Sequence, residues 1–233
     1  MTKPSRIRAI SLDLDDTLWP ANPTLIRAEE RAHAWLAAHA PAVAAMWPIG
    51  KLRELRVGHY HAHPELHHNL LQVRRIAMHD AFARAGMTQA DELIEQSLKV
   101  FMAARNEVIF YPEVTDCLAR LSQRYALASL TNGNADITQM SIAPHFKAVI
   151  AAHTHGTSKP DPAIFHMTCR ELGCEPHQVL HVGDDADLDV RGARDAGLHA
   201  IWMNRDNAAW AGNDTPGTVR DLLELELWLA EAA

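Results

Sequence analysis

Short apolar runs alternate with longer stretches of mixed polarity along this chain. Residues 9–14, 126–130, 148–152, 179–182 and 199–203 are short and largely apolar, and each is followed by turn-forming residues. Runs of that length without strict polar alternation suit strands buried on both faces of a parallel sheet. Helices are expected between the later runs. Pro112 fits the first turn of one reaching about residue 124, Asp161-Pro162 opens a second that ends near Gly173, and Asp187 to Ala196 forms a third before Gly197. Proline lacks an N–H that the first helical turn does not need, and glycine accepts the backbone twist at a helix end. Strand–helix repetition predicts an α/β doubly wound, Rossmann-like core with a parallel sheet.

Residues 22–108 break this rhythm. They hold no convincing strand and read as three or four helices, roughly 24–39, 50–59, 66–86 and 89–105. The expected organisation is a core domain from residues 1–21 and 109–233, with residues 22–108 inserted as an all-α cap.

Composition bounds what such a protein does. A chain of 233 residues, 48% hydrophobic, can build one full core, as either one domain or a core domain with a smaller insert. Its net charge of −7 and lack of a basic tract argue against nucleic acid or anionic membrane as partners. The same charge repels phosphorylated ligands, so any anion site must be built locally. Met1–Arg8 is basic, but the apolar run behind it is too short for a signal peptide. No segment approaches the roughly 18 apolar residues that span a bilayer. Cys117, Cys169 and Cys174 show no metal-ligand spacing and read as reduced thiols of a soluble, cytoplasmic protein.

The residues that carry chemistry stand at the carboxyl ends of the apolar runs. Asp13-Leu14-Asp15-Asp16-Thr17 closes the first, Thr131-Asn132-Gly133 the second, and Lys159-Pro160 the loop after the third. Gly183-Asp184-Asp185, with Asp189 beyond, comes after the fourth. Strand carboxyl ends share one edge of an open parallel sheet, where ligands bind. Four distant segments thus deliver acids, a hydroxyl and one ammonium to a single crevice. Phosphoryl transfer through a covalent intermediate needs this set. A carboxylate attacks phosphorus, and clustered acids require a cation such as Mg²⁺. Lys159 compensates charge, Asp15 could protonate the leaving oxygen, and Thr131 with the Asn132 N–H would bind phosphoryl oxygens.

Asp13-Leu14-Asp15-Asp16-Thr17-Leu18, Thr131, Lys159 and Gly183-Asp184-Asp185 with Asp189 resemble, in order and spacing, the four motifs of the haloacid dehalogenase superfamily. The resemblance spans residues 7–205, with the insert in the position of the helical cap. It implies a phosphatase in which Asp13 is the nucleophile, Asp15 the general acid/base, and Thr131 and Lys159 the holders of the phosphoryl group. It further implies Mg²⁺ bound by Asp13, the Asp15 carbonyl and Asp184, supported by Asp185 or Asp189. The strings around Thr131, Lys159 and Asp184 are similar to a bacterial subgroup that hydrolyses flavin mononucleotide (FMN). That subgroup is linked to the phosphatase step of riboflavin synthesis.

Three other residues are candidate substrate contacts: Trp19, which could stack on a ring, and His68 and Arg74 in the insert. His59, His61, His63, His67 and His68 invite a transition-metal reading, but only the pairs His59/His63 and His63/His67 have the four-residue spacing of a shared helical face there. A 2-haloacid dehalogenase would use the first aspartate against carbon, needing neither Asp15 nor a metal. A phosphomutase or a non-catalytic phospholigand-binding protein are the further alternatives. The expected partner is a small-molecule phosphate ester.

Overall fold

The computed structural model describes residues 7–211 and 214–231. The basic residues up to Arg6 lie outside them. In chain order the elements are β1 (Ala9–Leu12), α1 (Ala21–His39), α2 (Pro41–Met46), α3 (Ile49–Ala62), α4 (Leu70–Arg84), α5 (Asp91–Arg105) and α6 (Val114–Leu121). Then come β2 (Ala126–Thr131), β3 (Ala148–Ala151), α7 (Ala152–His155), α8 (Pro162–Leu172), β4 (Val179–Gly183), α9 (Gly192–Asp195), β5 (His199–Met203), β6 (Gly217–Val219) and α10 (Leu222–Ala230).

All six strands form one parallel sheet of order β3-β2-β1-β4-β5-β6. The expected α/β doubly wound core is therefore present. The five apolar runs are its first five strands, and β1 and β4 are buried throughout. Only β6 escapes sequence reading, because three residues led by a glycine carry no apolar run. Chain order reverses across β1 and β4, and a crevice opens at such a switch point. Leu12 pairs with Ser129 on one side and Val182 on the other. The residues just past Leu12, Thr131 and Gly183 therefore share one edge.

The chain divides into two compact units, residues 1–20 with 109–233 and residues 21–108. The second unit is helical throughout its secondary structure. Its core joins Leu36, Val43, Ala81, Phe82, Ile94 and Leu98. Two departures from expectation arise from capping. Pro41 cannot donate into α1 and starts the separate helix α2 instead. Asn69 accepts from the Gln72 N–H at 3.0 Å, so α4 begins at Leu70 rather than near residue 66.

In the first unit, the expected helix over 187–196 starts as a π-helical turn, Ala186–Arg191, and becomes α-helical only in α9. Asp185 caps that turn, accepting from the Asp187 and Leu188 N–H groups at 2.8 Å each. Its backbone carbonyl accepts from both Asp189 and Val190, at 3.1 and 3.2 Å. π turns cluster at functional sites because the extra residue re-aims a side chain.

Among the described residues no helix is long and apolar enough to cross a membrane. All three cysteines are free thiols. Burial pushes the Cys117 thiol up to about 12, helped by its hydrogen bond to Glu226. Burial likewise pushes Cys169 up to about 11. The thiolate is the reactive form, and at pH 8 a thiol at 12 is ionised in roughly one molecule in ten thousand. Iodoacetamide at pH 8 should therefore modify the half-buried Cys174 first, as read by peptide mass spectrometry. Equal labelling of Cys117 in the folded protein would contradict this environment.

Candidate active site

Asp13 comes directly after β1, and its N–H donates to the Val182 carbonyl at 2.9 Å. The chain then turns tightly. Leu18 N–H reaches the Leu14 carbonyl at 2.8 Å, and Asp16 takes a positive φ of 56°. Short polar side chains tolerate that left-handed conformation best among residues other than glycine. Arg205 secures the turn by donating to the Thr17 carbonyl at 2.7 and 3.1 Å and to Glu113 at 2.8 Å.

The centre of the site is a buried ammonium. Lys159 Nζ donates to Asp13 Oδ1 and to Asp189 Oδ1, each at 2.5 Å, and all three side chains are at most 9% exposed. Burial opposes the lysine's charge, but the two carboxylates outweigh it and hold its pKa above the ordinary value. Asn132 fixes the lysine's backbone from both directions. Its Nδ2 donates to the Lys159 carbonyl at 2.9 Å, and its Oδ1 accepts from the Lys159 N–H at 2.8 Å. Thr131 Oγ1 accepts from the Gly133 N–H at 2.9 Å.

Asp189 belongs to this centre and Asp185 does not. Asp185 is exposed and spent on its cap. Asp189 is 1% exposed and accepts from Lys159, from His181 Nε2 at 2.9 Å and from the Asp185 N–H at 3.0 Å. Burial alone would raise its pKa, but Lys159 and His181 reverse this and keep it below the usual carboxylate range. An ionised Asp189 can only accept, so His181 Nε2 carries the proton and Nδ1 accepts from the Ser11 hydroxyl at 2.9 Å. Burial holds His181 below its ordinary pKa, which keeps the ring neutral. Neither Ser11 nor His181 stands out in the sequence. Both lie inside strands, where a single polar residue reads as filler.

Asp184 completes an acidic triangle. Oxygens of Asp13, Asp184 and Asp189 all lie within 4.8 Å of one another, and this is the one such ligand group among the described residues. Burial, then the charges of Asp189 and Asp16, push Asp184 up to about 7. Burial also raises Asp13 well above the carboxylate range, against the pull of Lys159. Three carboxylates facing one ammonium leave two negative charges unbalanced. Protons or a divalent cation must supply the difference, and an all-oxygen donor set suits a hard cation.

The remaining candidates divide. Asp15 is half-buried and accepts from the Trp19 indole N–H at 2.9 Å. Trp19 itself is 0% exposed and packs edge-on to Phe110, so it presents no face to a ligand and positions Asp15 instead. His68 sits half-buried in the turn before α4. Arg74 lies in the helical unit, near Glu29 at 3.4 Å, with its guanidinium 3.7 Å over the Phe101 ring. The clustered histidines find local partners: His59 meets Asp80 at 3.1 Å, His63 meets Glu65 at 3.0 Å, and His67 stacks on Tyr60. None joins a group of three metal-binding ligands among the described residues.

Gly183 makes the inward turn of Asp189 possible, since a Cβ there would sit 2.2 Å from Asp189 Cγ. Gly183→Ala should expel that carboxylate and lower stability by about 3 kcal/mol in urea unfolding. Gly58→Ala, in α3 with no atom within 4 Å of the new methyl, should instead be neutral or gain up to about 1 kcal/mol. Equal stability of the Gly183 variant and the parent would refute the crowding.

Similarity to known proteins agrees with this geometry. The haloacid dehalogenase-like hydrolase family matches residues 7–197. A 5-amino-6-(5-phospho-D-ribitylamino)uracil phosphatase of Escherichia coli, YigB, is 30% identical over 204 residues, 87% of this chain and 85% of that protein. A structure described as a 2-haloacid dehalogenase from Pseudomonas syringae superposes with a TM-score of 0.90 at 34% identity, over 97% of this chain and all of that one. A HAD phosphatase from Thermococcus onnurineus shares the fold, with a TM-score of 0.69 at 22% identity over 96% and 98% of the two chains. The chain belongs to the haloacid dehalogenase-like hydrolases.

Proposed function

We propose that this protein is a Mg²⁺-dependent phosphomonoester hydrolase that works through an aspartyl phosphate on Asp13. The observation that carries the reading is the acidic triangle of Asp13, Asp184 and Asp189 around a single lysine. Attack on carbon needs no cation, and a dehalogenase would gain nothing from two surplus carboxylate charges. Attack on a phosphate ester brings still more negative charge and needs them neutralised.

Asp13 and Asp184 would hold the cation together with the Asp15 carbonyl, and Asp189 would support it through its contact with Lys159. When bound, Mg²⁺ neutralises the carboxylates and screens the incoming phosphoryl oxygens. An Asp13 carboxylate oxygen attacks phosphorus, and the ester P–O bond breaks. Asp15, held by Trp19, gives its proton to the leaving oxygen. It then takes a proton from the water that attacks phosphorus, releasing phosphate and restoring Asp13. The Thr131 hydroxyl and the Asn132 N–H bind phosphoryl oxygens, and Lys159 offsets their charge.

The E. coli relative directs attention to 5-amino-6-(5-phospho-D-ribitylamino)uracil as the substrate, and the sequence strings around Thr131, Lys159 and Asp184 make FMN a second candidate. His68 is the helical-unit residue proposed to contact the rest of the substrate, while Arg74 is held beside Glu29 and over the Phe101 ring within that unit. The dehalogenase reading draws on the P. syringae structure and makes the opposite metal prediction.

Chelation with EDTA should abolish phosphate release from p-nitrophenyl phosphate, and Mg²⁺ should restore it. Halide release from 2-chloropropionate that persists in EDTA would favour the dehalogenase. Asp13→Asn should lose at least about 10³-fold in kcat with its thermal unfolding retained. Asp15→Asn should lose about 10²–10⁴-fold, since its carbonyl remains but its proton transfer does not. In a panel ranked by kcat/KM, 5-amino-6-(5-phospho-D-ribitylamino)uracil or FMN should exceed phosphoserine and simple sugar phosphates.

A further inference from the structure

The helical unit contains a charged cavity of its own. It measures about 30 Å³, room for roughly two waters, and Arg53, Arg56 and Arg74 line it with Glu29 as the only carboxylate. Apolar side chains, among them Leu36 and Phe101, complete the wall. Glu29 is 8% exposed on its side chain and is already engaged. It accepts from Arg53 at 2.5 and 3.2 Å and lies 3.4 Å from Arg74. Three guanidinium groups against one carboxylate leave two surplus positive charges, and the Nε of Arg56 is buried without a hydrogen-bond partner. An unpaired buried donor of this kind costs about 1–3 kcal/mol, more when charged, unless something accepts from it.

We propose that this cavity is a binding site for the oxyanion head group, carboxylate or phosphate-like, of a small organic anion. Guanidinium forks match planar or tetrahedral oxyanions, and Glu29 shows that these arginines already hold one. The volume admits a head group rather than a whole metabolite. The tail must leave on the side of Arg53, whose side chain is 50% exposed. Arg74 adds a supporting sign: burial, then the charge of Arg56, lower its pKa to about 10, a strain that a bound anion relieves.

Calorimetric titration of the full chain in EDTA, without turnover, tests the site independently of the phosphatase reading. Butyrate and propylphosphonate are the charged probes, and butyramide is the neutral isostere. At least one charged probe should bind at least tenfold tighter than butyramide. Arg56→Gln, a change at a half-buried position, should weaken that probe at least tenfold. Glu29→Gln should tighten it several-fold by removing the competing carboxylate, an effect that loss of structure would not produce. Asp13→Asn should leave it unchanged. No preference for the charged probes, or binding that survives Arg56→Gln but not Asp13→Asn, would overturn the proposal.

Discussion

Burying the ammonium of Lys159 between Asp13 and Asp189 is the constraint on which the rest of the site depends. A buried charge that loses its partner costs about 3–5 kcal/mol, so the three side chains must be held together by everything around them. Asn132 clamps the lysine's backbone, the π turn aims Asp189 inward, and Gly183 leaves the space into which it turns. Ser11 and His181 brace Asp189 from within β1 and β4. Polar groups inside a parallel sheet are normally a liability. Here Ser11 and His181 each have a named partner, and the chain of contacts ends at the residue proposed to attack substrate.

The same centre carries a deficit that the protein's own groups do not meet. Burial and mutual repulsion hold Asp13 and Asp184 above the usual carboxylate range, which favours a proton where a nucleophile needs a lone pair. A hard divalent cation would supply both missing charges at once and free the oxygens. Metal dependence is thus proposed from charge balance, and likeness to a phosphatase or a dehalogenase does not decide it.

Much of this was readable in the sequence because sheet topology does the assembling. Asp13, Thr131, Lys159 and Asp184 each come after a buried apolar run, so a parallel sheet delivers them to one edge. The features that escaped reading depend on angles that no spacing encodes. Asp185 and Asp189 are equal candidates along the chain, and only the π turn separates an exposed cap from a buried acid. Trp19 could face a ligand or the interior, and its bond to Asp15 decides for the interior. His181 hides within a run otherwise apolar, and β6 is too short to show a pattern.

Each unit, taken by itself, retains a charge surplus, and the surpluses are opposite in sign. The sheet edge carries two negative charges too many, and the cavity of the helical unit two positive ones. Internal pairing could have halved either with one substitution, for example a second acid beside Arg56. A folded chain tolerates such imbalance where a ligand completes it, and stability alone would remove it. The arginines of α3 form no motif along the chain. The cavity behind them is what turns surplus charge into a binding requirement.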